Sequence, residues 1–332
     1  MDLHTDYMGL SLHSPLVASA SPLTGKLDSL RALEDAGAAA VVLPSLFEEQ
    51  IREERAAMQA LMDAGKDAIQ ETQDFFPDVG IYSKQTDKHL ELVAAASKAL
   101  DIPIIASLNG TTPDGWAGFA RELSAAGAHA IELNLYHIGC NPNVSSSAVE
   151  TAHEVVVRSV CGATHIPVSV KLSLCFSNLA HFCKKMESAG VKALVLFNRF
   201  YQPVINPETL EIDLTLHLSS SIERHLPETW IAMLRPALRC QLAHTTGIHT
   251  PLDVVSALMA GADVVMSTSA LLQNGPAHLQ TLRQGLEQWM NEHNYADLQQ
   301  LRGCMARDQV PHPERYERTN YQKLLATWTP ET

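Results

Sequence analysis

The chain has 332 residues, 46% hydrophobic and 18% charged, enough to bury a large core without disulfide staples. Its 37 acidic and 24 basic side chains leave a formal charge of −13, with no basic run dense enough to follow a phosphate backbone, so nucleic acid is not an expected partner. The apolar stretches are strand-sized, well short of the roughly 20 residues a membrane helix needs, and Met1-Asp2-Leu3-His4 lacks the basic flank of a signal peptide, so a cytoplasmic protein with no membrane partner is expected.

Taken in order, strands are predicted at 16–20, 40–44, 104–109, 130–134, 168–172, 193–197, 239–244 and 264–267. Four of them follow Ala36-Gly37-Ala38, Ala126-Gly127-Ala128, Ala189-Gly190-Val191 and Ala260-Gly261-Ala262, where the glycine suits a helix C-terminal stop. Two more open after Ile102-Pro103 and Ile166-Pro167, proline being tolerated at a strand's first residue. Between the strands, apolar residues recur three or four apart, as at Leu179, Phe182 and Met186 or Leu252, Val255, Leu258 and Met259. Strands apolar on both faces that alternate with helices make a parallel sheet. Eight such units with no Gly-x-Gly-x-x-Gly turn predict an α/β fold of the (β/α)8 TIM-barrel type rather than an open doubly wound sheet.

The whole chain, 1–332, reads as a single domain with insertions after strands two and six, at 45–101 and 198–236, and a helical tail at 276–332. The first insertion is predicted to hold an acidic amphipathic helix over 45–72, with Glu48, Glu49, Glu53 and Glu54 beside Ile51, Met58 and Leu61, followed by a loop at 73–87. In the second, strict alternation over 210–216 predicts a half-buried strand in a small hairpin. The tail holds a helix with Leu279, Leu282, Leu286 and Trp289, and a last helix near 315–328. Insertions that follow barrel strands lie over the mouth, which makes both candidate lids or dimer surfaces.

The strand ends are polar where a barrel keeps its active site. Asn109, Asn134 and Asn198 offer amide donors and acceptors and Lys171 adds a cation, a set suited to a planar, partly anionic ring such as a flavin or a purine-like ligand. The plainer readings are turn or cap roles for the asparagines and an ion pair between Lys171 and Glu132. Thr246-Gly247-Ile248-His249-Thr250 and Thr268-Ser269-Ala270 each lead into a helix and form a candidate phosphate site. After strand four, Tyr136-His137-Ile138-Gly139-Cys140-Asn141-Pro142-Asn143 carries an imidazole and a thiol, either able to move a proton. The plainer reading is an exposed histidine and a buried cysteine. His137 and Cys140 have no companion pair at ligand spacing, so no metal is expected. Cys140, Cys161, Cys175, Cys183, Cys240 and Cys304 form no C-x-x-C pair and are expected to be free thiols.

Jointly, Ser107-Leu108-Asn109-Gly110, Glu132-Leu133-Asn134, Val168-Ser169-Val170-Lys171-Leu172-Ser173, Phe197-Asn198-Arg199-Phe200, Thr246-Gly247-Ile248-His249-Thr250 and the stretch from Gly261-Ala262-Asp263 to Ser269-Ala270-Leu271 resemble the dihydroorotate dehydrogenases, and more closely a bacterial dihydroorotate dehydrogenase-like branch. The resemblance covers nearly the whole chain. It implies a barrel that binds FMN at its mouth, with Ala20, Asn109, Asn134 and Lys171 toward the ring, Asn198 beside it, and Gly247, Thr268 and Ser269 at the phosphate. It implies hydride transfer to flavin from dihydroorotate or a related small CH–CH substrate, Cys140 or His137 as base, and a homodimer. The chain departs from the family at several places. The usual lysine after strand two is replaced by Leu43-Pro44-Ser45, and the usual glycines of the phosphate turns by Thr246 and Thr268. A β-branched residue does not take every angle open to glycine, which predicts weakened or lost FMN affinity. Two rival readings use the same residues: a phosphate-ligand lyase with Lys171 as Schiff-base nucleophile, and a catalytically degenerate barrel acting as a partner subunit.

Overall fold

The eight apolar runs pair in parallel around a full circle. In the computed structural model, which describes residues 1–50, 53, 56, 84–110, 116–199, 203–213, 215–317, 319–327 and 329, a short antiparallel hairpin comes first, β1 (Thr5–Tyr7) with β2 (Leu10–Leu12). The barrel strands follow: β3 (Leu16–Ala18), β4 (Ala40–Phe47), β5 (Ile104–Asn109), β6 (Ala130–Leu135), β7 (Val168–Leu172), β8 (Ala193–Leu196), then β11 (Gln241–Thr245) and β12 (Val264–Ser267) after a second hairpin, β9 (Val204–Asn206) with β10 (Glu211–Asp213). β12 pairs with β3 and β8 with β11, so the sheet closes and leaves no open edge. The predicted TIM barrel is the observed fold. All eight strands were placed, with ends that differ by up to three residues; β4 runs on to Phe47 across an irregularity between Val42 and Ser45 instead of stopping at Pro44.

Two apolar layers hold it together. Helices Leu27–Asp35, Lys84–Ala99, Trp116–Ala125, Ser146–Ala163, Leu179–Ser188, His225–Leu234 and Pro251–Ala260 pack on the outer faces of the strands. The inner layer fills the barrel with small residues, Ala40, Ala130, Ala193 and Ala243, beside Val17, Val42, Ile105, Val195, Val264 and Met266. Tyr7, Met8 and Leu12 of the first hairpin join this inner cluster and plug the end where the strands begin. Gln241 ties that plug down by accepting from the Met8 N–H and donating to the Asp6 carbonyl.

The 198–236 insertion corrects one expectation. β10 is not half-buried: Ile212 is 66% exposed, and Ile205 on β9 is 76% exposed. Alternation in sequence marked the strand correctly, but a two-stranded hairpin that stands off the body has no face to bury. Most of the acidic helix expected over 45–72, and nearly all of the 73–87 loop, lies outside the described residues. The tail forms helices His278–Glu292, Leu298–Leu301 and Thr319–Thr327. No helix among the described residues is long and apolar enough to cross a membrane.

Candidate active site

Strand register places the polar strand ends at one level. Asn109 on β5 pairs with Asn134 on β6, and Asn134 with Lys171 on β7, so three predicted site residues stand side by side around the mouth. Gly110 follows Asn109 because the ring of Trp116 occupies the space a Cβ would need, within 1.7 Å of its ideal position.

Asn134 is 4% exposed and its amide is locked. Its Nδ2 donates to Ser107 Oγ (2.8 Å), Ser45 Oγ (3.2 Å) and the Leu108 carbonyl (3.3 Å), and the two serine hydroxyls bond each other at 2.7 Å. With every amide proton committed, Oδ1 is the acceptor that remains among the described residues. Ser45 was identified in the sequence only as the place of a missing lysine. The extension of β4 brings it into this network, so a neutral hydroxyl takes the position and fixes the asparagine.

One cleft at the mouth is lined by Ser19, Ala20, Lys171, Asn198, Gly247, Thr268 and Ser269, among others. Six predicted cofactor residues therefore meet in one place: Ala20, Lys171, Asn198, Gly247, Thr268 and Ser269. Asn109 and Asn134 stand on the neighbouring strands but do not line this cleft. Asn198 Nδ2 is buried without a hydrogen-bond partner, and the backbone N–H groups of Gly247, Thr268 and Ser269 make no hydrogen bond among the described residues. Lys171 adds the cation, its side chain 11% exposed and its Nζ 3.6 Å from Glu132 Oε1. The plainer reading of Lys171, an ion pair with Glu132, is what the geometry shows, and the same side chain borders the cleft above.

The phosphate turns form without the usual glycines. Thr246 takes φ +83, a left-handed angle, and Gly247 takes φ +77. The threonine adopts the glycine-like turn at a cost of about 1–3 kcal/mol, partly offset where its Oγ1 donates to the Phe197 carbonyl (3.3 Å). Thr268, at φ −134, keeps a negative φ and so needs no glycine there. The insertion contributes too. Arg224 N lies 2.3 Å from where a Gly247 Cβ would stand, so the glycine is required by this close packing as well as by its angle. Ser219 N donates to Ser269 Oγ (3.0 Å) and Ser219 Oγ meets His249 Nε2 (3.0 Å). Arg199, which follows Asn198 at the end of the sixth barrel strand, also lines the cleft, and so do Leu216, Leu218 and Ser219; the last three carry no mark in the sequence, because where an insertion folds back leaves no periodic trace.

His137 and Cys140 do not line the cleft. His137 is half-buried, its ring edge-on to His153 at 5.6 Å, whereas Cys140 is exposed. The plainer sequence reading, an exposed histidine and a buried cysteine, is reversed. His153 packs edge-on against Phe176 and Phe182, and burial, helped by His137, pushes its pKa down to about 4. All six cysteines are free thiols.

Comparison with known proteins gives this geometry a context. A family model described as dihydroorotate dehydrogenase matches residues 67–290. The catalytic subunit of dihydroorotate dehydrogenase B (NAD(+)) from Trichlorobacter lovleyi is 26% identical over 236 residues, covering 68% of this chain and 76% of that protein. Dihydroorotate dehydrogenase A (fumarate) from Lactobacillus delbrueckii subsp. bulgaricus is 27% identical over 225 residues, 61% of this chain and 72% of that protein. With a closed barrel whose mouth gathers unpaired donors and a cation, the chain belongs to the dihydroorotate dehydrogenase family and is an oxidoreductase of that kind.

Proposed function

We propose that the chain binds FMN at the barrel mouth and oxidises dihydroorotate or a related small carboxylate or cyclic amide across a CH–CH bond. The observation that carries this is the set of donors on one cleft: the unbonded N–H groups of Gly247, Thr268 and Ser269 and the orphaned Asn198 Nδ2, together with the Lys171 ammonium, which is paired with Glu132 from below. Backbone N–H groups at the start of a helix suit a phosphate, while an amide donor and a cation suit the electron-rich edge of a flavin ring. FMN, when bound, supplies the hydride acceptor.

The chain's own residues do the rest. Ala20 keeps the floor small, Asn109 and Asn134 present polar groups at the level of Lys171, and the Ser45–Ser107 pair keeps the Asn134 amide from turning. The base is His137 or Cys140, and His137 is the better held, its ring fixed against His153. It takes a proton from a carbon next to a carbonyl. The 1–332 chain works as one FMN-binding barrel domain in the cytoplasm. The exposed apolar hairpin, with Ile205 and Ile212, serves as a contact surface for a second copy in a homodimer.

The first test is the visible absorption spectrum of the purified protein, with any yellow ligand released by heat and identified, repeated after adding FMN. Bound or added FMN with flavin bands, followed by anaerobic bleaching with dihydroorotate or another CH–CH donor, is the expected result. A colourless protein that ignores FMN overturns the reading, and borohydride trapping of Lys171 would then favour the Schiff-base lyase. A His137→Ala, Cys140→Ala double variant that reduces flavin at the parental rate overturns the proposed base.

A further inference from the structure

Beneath the mouth lies one acid that the proposed chemistry does not use. Glu132 on β6 is fully buried and pairs in register with Ser107 on β5 and Ser169 on β7. Both flanking hydroxyls are committed elsewhere. Ser107 Oγ bonds Ser45 Oγ and accepts from Asn134 Nδ2, and Ser169 Oγ donates to the Ile131 carbonyl (3.3 Å). Neither carboxylate oxygen of Glu132 receives a hydrogen bond. Its ion pair is with Lys171 Nζ, 3.6 Å from Oε1. From the plug below comes Tyr7, whose hydroxyl is likewise buried without a partner. Burial, and after it the charge of Glu132, hold that phenol protonated well above its usual range.

A carboxylate buried with no donors around it is a poor way to stabilise a fold, because the ion pair alone does not repay the loss of water. What the position does achieve is contact with the one lysine that borders the cleft. We propose that Glu132 is a positioning residue: it holds the Lys171 ammonium under the mouth, and its negative charge limits how strongly the site favours the reduced cofactor over the oxidised one. This rests on the FMN reading above. With Glu132 charged, the ammonium is shared between the acid below and the ring above. An anionic reduced ring then gains less from the pair than it would from a lone cation.

Glu132→Gln keeps the shape and removes the charge. Reduced FMN is expected to gain roughly 10-fold in affinity relative to oxidised FMN, about 30 mV upward for a two-electron couple. Two readouts need no cofactor. In the protein without FMN, acetic anhydride should acetylate Lys171 roughly 10-fold faster at pH 8 in Glu132→Gln than in the parent, because the amine is no longer held against the buried acid. Lys171→Met should lower Tm by leaving Glu132 without its cation, and adding Glu132→Gln should restore it, a coupling that two independent structural residues do not show. Equal labelling rates and no rescue overturn the pairing. A midpoint potential that does not move, in a variant whose labelling does, overturns the tuning role. If the parent takes up no FMN, the functional reading fails, and the labelling and rescue still decide the pair.

Discussion

Asp263 and Glu132 are both almost wholly buried acids, one at the plugged end of the barrel and one beneath its mouth, and their surroundings differ in kind. Asp263, 2% exposed, accepts from Arg235 Nη1 (2.8 Å) and the Leu242 N–H (2.8 Å) on Oδ2 and from Arg302 Nη1 (2.9 Å) on Oδ1. Thr5 bonds its carbonyl and is itself bonded by Arg302. Glu132 has an ammonium at 3.6 Å and no hydrogen bond. Asp263 ties together the first hairpin, the end of the 198–236 insertion and the tail, so its charge serves cohesion. At the mouth, Glu132 and Asn198 are left incompletely satisfied, the state expected of groups that wait for a ligand.

The sharpest way to break this contrast is Asp263→Ala. It strands two arginines and a buried N–H, and should cost about 3–5 kcal/mol in urea unfolding; a loss below about 1 kcal/mol would mean that the plugged end is not held by charge. Acid comes next. Burial pushes His153 and His244 down to about 4 from an ordinary 6.5, so between those values the unfolded chain binds protons that the folded chain refuses. Stability is therefore complete above about pH 6.5 and falls by about 3 kcal/mol per histidine toward pH 4. Unfolding curves at three pH values check it, and His153→Phe should remove one share of the slope. Ser107→Ala should cost about 1 kcal/mol and weaken FMN binding by freeing the Asn134 amide. The smallest effect is expected of Thr246→Gly. Relief of the left-handed strain is offset by the lost bond to Phe197 and by a freer unfolded chain, so stability should move by less than about 1 kcal/mol. A large loss there would show that the hydroxyl matters more than the angle.

How legible this molecule was depended on whether the information was local. Strands that lie in a fully covered sheet are apolar along their length, so the eight runs and the barrel they close were readable. Asn109, Asn134 and Lys171 could be placed because strand ends in a barrel share a level. The continuation of β4 past Pro44 was not readable, since proline is a common strand stop, and with it went the role of Ser45. Thr246 stands where glycine is usual, yet it takes the angle; the packing of Arg224 against Gly247 and the bond to Phe197 come from residues 23 and 49 positions away and leave no mark nearby. The exposure of Cys140 belongs to the same class, because burial of a loop residue depends on what folds over it.

The plug has one further consequence, for how the chain reaches its final form. Thr5 is joined to Asp263 and Arg302 across 258 and 297 positions. During synthesis the first hairpin is made well before both partners and cannot form these bonds until they have emerged. Until β12 is available, β3 and β11 are unpaired sheet edges on the nascent barrel. Closure thus joins partners far apart in sequence, a step of high contact order, and the interval before it leaves strand edges open to aggregation.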